Sequence, residues 1–284
     1  PLLGYMLRGL LAEDIDIPPI SPAFIPSPII IYEDDDIVVA EKPSGMPSVP
    51  TLDGSFSIQD YLTCALYLSD DCVGEGDGTD DGDRVDGNEG LQFFGVTAAH
   101  RLDMDTSGVM VFAKNRKALT NLHRQFEEHT VRKTYIARLT GRPPQSADLK
   151  SPEAQGIRHD SIDLPLSADY DERPRQKVDF KQGKPAYTEY EIVKENPDGT
   201  ADILLHPHTG RTHQLRVHCA HTLGLARPIV GDLLYGGHSA YNKEGRNVNR
   251  LCLHASALEF LHPVTKKPIR FFAPVPSEFR QLVK

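Results

Sequence analysis

HRLDMDTSG, residues 100–108, places a histidine, an arginine and two carboxylates in a short polar loop between two apolar runs, FFGVTAA (93–99) and VMVFA (109–113). The flanking runs are rich in β-branched and aromatic residues and read as strands, and a loop held by a rigid sheet is where reacting groups concentrate. Local chemistry alone leaves two readings open for this loop. One of its carboxylates reacts, or Arg101 and Asp105 form a surface pair that closes a turn. DTSG (105–108) is similar to the active-site turn of aspartic proteases. Those enzymes need two such carboxylates sharing a proton, with Gly directly after Thr, and this chain has neither the second copy nor that order.

Working outward, IIIY (29–32) and IVVAEK (37–42) flank the acidic turn Glu33 to Asp36 and read as a hairpin that runs into the loop KPSGMP (42–47). SIQDYLTCALYL (57–68) has helical apolar spacing behind a serine suited to cap it. RKALTNLHRQFEEH (116–129) is a second helix, with Leu119, Leu122 and Phe126 on one face, and KTYIARLTG (133–141) is a strand. TEYEIVKE (188–195) and TADILLHP (200–207), joined by NPDG, form an antiparallel pair. A helix from about Arg211 to Leu223 follows, and LCLHASALEFLH (251–262) with KKPIRFFAP (266–274) forms a last hairpin. Strands outnumber helices and are joined by hairpins or single helices. The expected fold is therefore α+β, a mixed and mostly antiparallel central sheet flanked by helices.

Two segments stand outside this pattern. Residues 1–28 are Pro-rich and read as an extended arm, since Pro at that density blocks helix interiors and central strands. Residues 29–284 then make one domain, interrupted at about 70–90 by an acidic Gly/Asp-rich insertion. Asp77, Thr79, Asp81, Gly82 and Asp83 fall at calcium-loop positions, but Asn88 stands where a bidentate Glu is needed, so a solvated surface insertion is the better reading. The insertion also explains the charge. The chain carries −9 overall, yet nine acids against the single base Arg84 give this stretch −8 and leave about −1 for everything else. The body can carry a basic face through Arg132, Lys133, Arg173, Arg175, Lys177, Lys181, Lys184, Arg211 and Arg216.

With 39% hydrophobic and 25% charged residues the composition is that of a soluble globular protein, and no apolar run approaches the roughly 18 residues that span a bilayer. An intracellular, cytoplasmic protein without a membrane partner is expected. Four scattered cysteines lack a C-x-x-C pair and fit reduced thiols better than a zinc ribbon or disulfide framework.

HPHTGRTHQLRVHCAH (206–221) holds five histidines and raises a metal-dependent hydrolase as a rival. The H-E-x-x-H pattern and clustered acidic partners are missing. Arg211, His213 and Gln214 would instead fall in the first turn of the helix after Gly210, where free amides and a cation attract an anion such as an RNA phosphate.

HRLDMDTSG resembles the signature H-R-L-D-x-x-T-S-G of the RluA-type pseudouridine synthases. EKPSGMPSVP (41–50) resembles their Lys-Pro-x-Gly loop, RKTYIA (132–137) their Lys-x-Tyr strand and HTGRTHQLRVH (208–218) their Gly-Arg-x-His-Gln-Leu-Arg helix, in family order. DLPLSADYDERPRQKVDF (163–180) and GKPAYTEYEIV (183–193) resemble the subgroup that modifies both ribosomal RNA and the transfer RNA anticodon loop. The resemblance implies isomerisation of uridine in folded RNA, with Asp103 as nucleophile, Arg216 as its ion-pair partner and Tyr135 as the ring against the target base. It implies that Arg101 enters the space vacated by an extruded base, with His100, Lys42, Arg211, His213 and Gln214 as further substrate contacts. No metal or cofactor is expected, since substrate and product are isomers, and the partner is RNA, bound by a monomer. An S4-like RNA-binding module is not evident. The rival on the same fold is a non-catalytic RNA-binding or ribosome-assembly factor, against which intact Asp103, Tyr135 and Arg216 weigh.

Overall fold

The computed structural model describes residues 27–67, 95–144, 157–158, 161–237, 250–276 and 279. All but the last two residues of the Pro-rich arm, the whole acidic insertion and the calcium-loop stretch within it lie outside these.

Thirteen strands and three helices are described. The first hairpin is β1 (Ile29–Glu33) and β2 (Ile37–Lys42), paired antiparallel, followed by helix α1 (Ile58–Tyr67). Next come β3 (Thr97–Ala98), β4 (Ser107–Ala113), helix α2 (Arg116–Glu127) and β5 (Arg132–Leu139). Short strands β6 (Ile157–Arg158), β7 (Ser161–Asp163), β8 (Leu166–Ala168) and β9 (Gln176–Val178) precede the long pair β10 (Tyr187–Glu195) and β11 (Ala201–Pro207). Helix α3 (Gln214–Ala220) and the hairpin β12 (Leu253–Leu261) and β13 (Pro268–Phe272) complete the fold. The main sheet runs β1-β2-β4-β12-β5-β11-β10-β7-β6, with β3 on β4 and β13 on β12, while β8 and β9 form a separate ribbon. Every pairing is antiparallel except β4 with β12, so the α+β, mixed and mostly antiparallel expectation holds.

Local chemistry accounts for the helices. Ser57 caps α1 reciprocally, its hydroxyl accepting from the Asp60 amide while the Asp60 carboxylate accepts from the Ser57 amide and hydroxyl. Asn115 caps α2 by accepting from the Ala118 amide at 2.9 Å. The α2 face predicted from spacing packs inward, with Leu122 fully buried and Leu119 and Phe126 against the same core. Helix α3 is shorter than expected. The Gln214 carboxamide accepts from the Arg211 amide and the Thr209 hydroxyl, and His213 takes a left-handed conformation (φ 53°), so Arg211 to His213 form a tight turn and the helix starts only at Gln214.

Among the described residues there are two large hydrophobic clusters and a small third around Leu166, Ala186 and Val217. One joins β2, β4, α1 and α2, the other β5, β11, α3 and the segment around Leu225 to Val230, and Tyr135 packs against both. Strand β4 is buried along its whole length, as a central strand covered on both faces must be. Its parallel contact with β12 depends on Gly108, which has φ +122° and whose hypothetical Cβ would lie 2.2 Å from the Ala255 carbonyl oxygen. Gly108→Ala should therefore lose upward of about 3 kcal/mol in urea unfolding, from backbone strain and forced separation of the two strands. An alanine variant as stable as the parent would show that the strands do not need this approach.

Candidate active site

The loop 100–106 joins β3 to β4 and is held by the preceding loop at residues 42–48. Lys42 is wholly buried at the end of β2, and its ammonium donates to the carbonyls of Pro43 (2.9 Å), Met46 (2.6 Å) and Met104 (2.8 Å). Burial pushes that ammonium down to about 7, against the opposing charges of Asp105 and Asp103. Ser44 donates to the Asp105 carbonyl, Gly45 to the Met104 carbonyl, and the Ser48 hydroxyl both accepts from the Leu102 amide and donates to its carbonyl. The Thr106 amide closes the loop on the Asp103 carbonyl at 3.0 Å. Every one of these contacts is made to backbone, and the Asp103 side chain is 21% exposed.

Arg216, on α3, reaches toward Asp103 with its side chain 4% exposed. The family resemblance implies a pair with Asp103. In the structure its Nη1 stands 4.0 Å from Asp103 Oδ2, while its Nε and Nη2 donate as a fork to Asp232 at 2.8 and 2.7 Å. The pair with Asp103 is therefore present but long, because a planar guanidinium binds one carboxylate bidentately and only its remaining edge reaches the other. Burial opposes the charge on Arg216, yet the Asp232 bonds outweigh it and hold the guanidinium above its ordinary value. Tyr235 lies beneath, its ring centroid 5.3 Å from the guanidinium carbon. Asp232 and Tyr235 were missed from sequence. The available signal was that Asp232 is the only acid in LGLARPIVGDLLYGG (223–237).

Tyr135 projects from β5. Burial and the nearby charge of Asp103 push its phenol far up, so it stays protonated. Arg101 is exposed and pairs with no carboxylate among the described residues, which removes the Arg101–Asp105 surface pair as a reading of the loop. His213 bonds through Nδ1 to the Tyr235 hydroxyl at 2.8 Å, and burial lowers its pKa although Asp103 opposes the shift.

Three residues expected to touch substrate are turned inward. Lys42 has all three N–H bonds on carbonyls and no exposed surface. Gln214 is 4% exposed and spends its amide on Tyr187, Thr188, Thr209 and Arg211. His100 accepts from the Val111 amide, stacks on Phe126 with centroids 4.7 Å apart, and is pushed by burial to about 3. Each fixes the polypeptide that carries the site. Arg211 donates through Nε to the Pro185 carbonyl and remains at the surface.

The histidines of 206–221 do not converge. His206 bonds Thr134, His208 pairs with Glu189, His213 bonds Tyr235, His218 lies between Thr188 and Leu164, and His221 accepts from the Leu223 amide. Among the described residues, the group able to hold a metal is elsewhere, at Asp34, Asp36 and His262. There the His262 Nδ1 accepts from the amides of Val264 and Thr265, which leaves its Nε2–H to donate to Asp34, a closed hydrogen-bonded turn.

Residues 36–221, from β2 through α3, match the family described as RNA pseudouridylate synthase. The chain belongs to that family. It is 38% identical over 246 residues to the dual-specificity RNA pseudouridine synthase RluA of Escherichia coli K12, covering 87% of this chain and 92% of the relative. The RluA of Pasteurella multocida Pm70 is 38% identical over 245 residues, covering 86% and 92%, and that of Yersinia pestis 37% over 243, covering 86% and 97%. Among solved structures, human RNA pseudouridylate synthase domain containing 1 superposes with TM-score 0.60 at 26% identity, over 89% of this chain and 85% of that one. Human RNA pseudouridylate synthase domain containing 4 shares the fold, with TM-score 0.60, 22% identity, and coverage of 89% and 90%. The protein is accordingly an RNA uridine-to-pseudouridine isomerase of the RluA type, and the hydrolase reading is set aside.

The buried neutral histidines give the enzyme an acid limit. His218, fully buried on α3, is pushed by desolvation from 6.5 to about 4. The unfolded chain takes up this proton below about 6.5 while the folded chain refuses it until about 4, so stability is full above that window and falls as pH drops through it. The expected loss from His218 is roughly 3 kcal/mol. Urea unfolding of the wild type and His218→Gln at about pH 7 and about pH 5 checks this, the variant showing the shallower dependence. Parallel curves would refute it.

Proposed function

We propose that Asp103 is the carboxylate that attacks the target uridine, with Arg216 supporting its charge and Tyr135 against the base. The observation that carries this reading is the setting of Asp103: 21% exposed, on a loop fixed through its backbone, 4.0 Å from a buried guanidinium and beside a protonated phenol. The isomerisation breaks the N1–C1′ and C5–H bonds of uridine and makes C5–C1′ and N1–H. Nothing is gained or lost overall, so a nucleophile that adds to an electron-poor carbon and later leaves is sufficient chemistry. A carboxylate does this only while ionised. Tyr135, locked as a phenol, supplies a flat stacking face and a hydroxyl beside Asp103.

The target base is stacked in folded RNA and must be extruded at a cost of a few kcal/mol. Arg101 suits the vacated position, because it is exposed, next but one to the nucleophile and held by no described partner. Its planar cation can stack and hydrogen-bond there at once. Arg211, at the mouth of α3, suits a phosphate contact. Lys42, His100 and Gln214 act through the backbone they hold.

By similarity to the dual-specificity relatives, the substrates are a uridine in large-subunit ribosomal RNA and one in the transfer RNA anticodon loop. No helix among the described residues is long and apolar enough to cross a membrane. Action as a monomer in the cytoplasm belongs to the same proposal.

Asp103→Asn should reduce tritium release from C5-labelled uridine in RNA by at least about 10⁴-fold while RNA affinity stays near wild type. Retained turnover would remove Asp103 as nucleophile. Arg216→Lys should lose roughly 100-fold in kcat, since an ammonium cannot hold both Asp232 oxygens and still face Asp103. Wild-type kcat there would show that only the charge matters. Carbodiimide mapping of RNA from a deletion strain should show loss of pseudouridine from both RNA classes; loss from one class alone would make the enzyme single-specificity.

A further inference from the structure

Asp232 takes no part in the site as the family resemblance draws it, yet it makes the strongest contact of the catalytic arginine. Its side chain is fully buried. Oδ1 accepts from Arg216 Nη2 at 2.7 Å and from the amides of Leu234 and Tyr235 at 3.0 and 3.1 Å, and Oδ2 accepts from Arg216 Nε at 2.8 Å. The carboxylate is thus oriented by two amides of its own turn before it meets the arginine. That turn is tied to the sheet. Val230 donates to the Arg138 carbonyl and accepts from the Cys252 amide, both at 2.8 Å, between β5 and the approach to β12. Gly231, at φ +81° and with a hypothetical Cβ 1.9 Å from the Arg250 carbonyl oxygen, lets the chain reverse against that backbone so that Asp232 faces inward. Strand β5 carries Tyr135 as well, so the anchor of Arg216 and the ring against the base share one rigid frame.

The distances show what this frame does. A guanidinium free to choose would close on Asp103 with two hydrogen bonds and engage the oxygens that must attack carbon. Here the fork is occupied, and Nη1 is left 4.0 Å from Asp103 Oδ2, close enough for charge to act and too far for a hydrogen bond. We propose that Asp232 is a positioning residue for the isomerisation: by holding the fork of Arg216 it sets the Arg216–Asp103 separation and keeps the nucleophilic oxygens of Asp103 unengaged. Tyr235 supports the same placement from below, its hydroxyl accepting from the Gln176 amide at 2.8 Å while its ring lies under the guanidinium. The inference rests on the reading of Asp103 as nucleophile, which Asp103→Asn tests by itself.

The experiment compares Asp232→Asn and Asp232→Glu with wild type by single-turnover tritium release across pH, filter binding of the RNA, and thermal unfolding. In Asp232→Asn the fork loses its charged partner and Arg216 closes on Asp103. The rate should fall about 100-fold or more with RNA affinity within about threefold, and the acid limb of the rate profile should move to lower pH. Asp232→Glu keeps the charge one methylene further out and should restore the acid limb while recovering only part of the rate. A purely structural Asp232 would lower the unfolding temperature and leave the acid limb in place, and that outcome overturns the proposal. A folded Asp232→Asn enzyme with wild-type rate also overturns it. Should the Asn variant fail to fold, Asp232→Glu decides alone, and a wild-type rate in it shows that the separation is not set by this side chain.

Discussion

Arg216 lies between two carboxylates, and the placement of that one guanidinium governs the catalytic half of the molecule. Removing a guanidinium from water costs several kcal/mol, and a partner that is itself buried and pre-oriented offsets the cost. Asp232 meets that need, with no exposed surface and two amides of its own turn holding it. Much of the surrounding structure serves the pair. Gly231 allows the reversal that brings Asp232 inward, α3 supplies the arginine, and Tyr235 closes the space beneath it. Asp103, by contrast, meets only the free edge of the same cation and keeps part of its surface in solvent. One cation thereby neutralises a buried acid and, on the function proposed above, supports a reactive one.

The loops that carry Asp103 are held by a different use of charge. Lys42 is as buried as Asp232, but its ammonium meets three carbonyls and, among the described residues, no carboxylate within hydrogen-bonding distance. A charged donor bonding to backbone oxygens from residues 43, 46 and 104 ties two loops that are remote in sequence. The Ser44 and Ser48 hydroxyls add bonds between the same loops. Asp103 is therefore aimed by its backbone, so its own oxygens need not be spent on anchoring. Tyr135 completes the arrangement from β5, wedged between the two hydrophobic clusters, where its ring cannot drift without opening both.

The elements carried by period and punctuation were legible in the chain: the first and last hairpins, the β10–β11 pair around NPDG, and both capped helices. What was not legible depended on contacts between distant segments. The parallel register of β4 and β12 joins residues 107 and 108 to 254 and 255, and no local pattern encodes it. The inward roles of His100, Lys42 and Gln214 were hidden for the same reason, since a motif shows which residues recur together and not which way each side chain turns. Asp232 lay in an apolar stretch with no motif companion, and its meaning appears only beside Arg216. Asp103, Tyr135 and Arg216 were named from sequence, but the distance between the first and the last was not.

These internal uses of charge bear on how an acidic protein engages RNA. Of the nine bases first assigned to a basic face, Arg216 is spent inside on Asp232, and Lys133 is largely buried on the Thr209 carbonyl, its ammonium pushed by desolvation to about 8. Arg175 and Lys177 pair at the surface with Glu172 and Asp169, and Arg132 lies 3.8 Å from Glu259. Exposed pairs of this kind are worth about 1 kcal/mol or less, so a phosphate can exchange with the carboxylate at little cost. RNA phosphates can therefore gain contacts as those surface pairs open. On the function proposed above, a loosely stacked uridine would be reached at less cost than one in a rigid duplex, where extrusion comes before most of the compensating contacts.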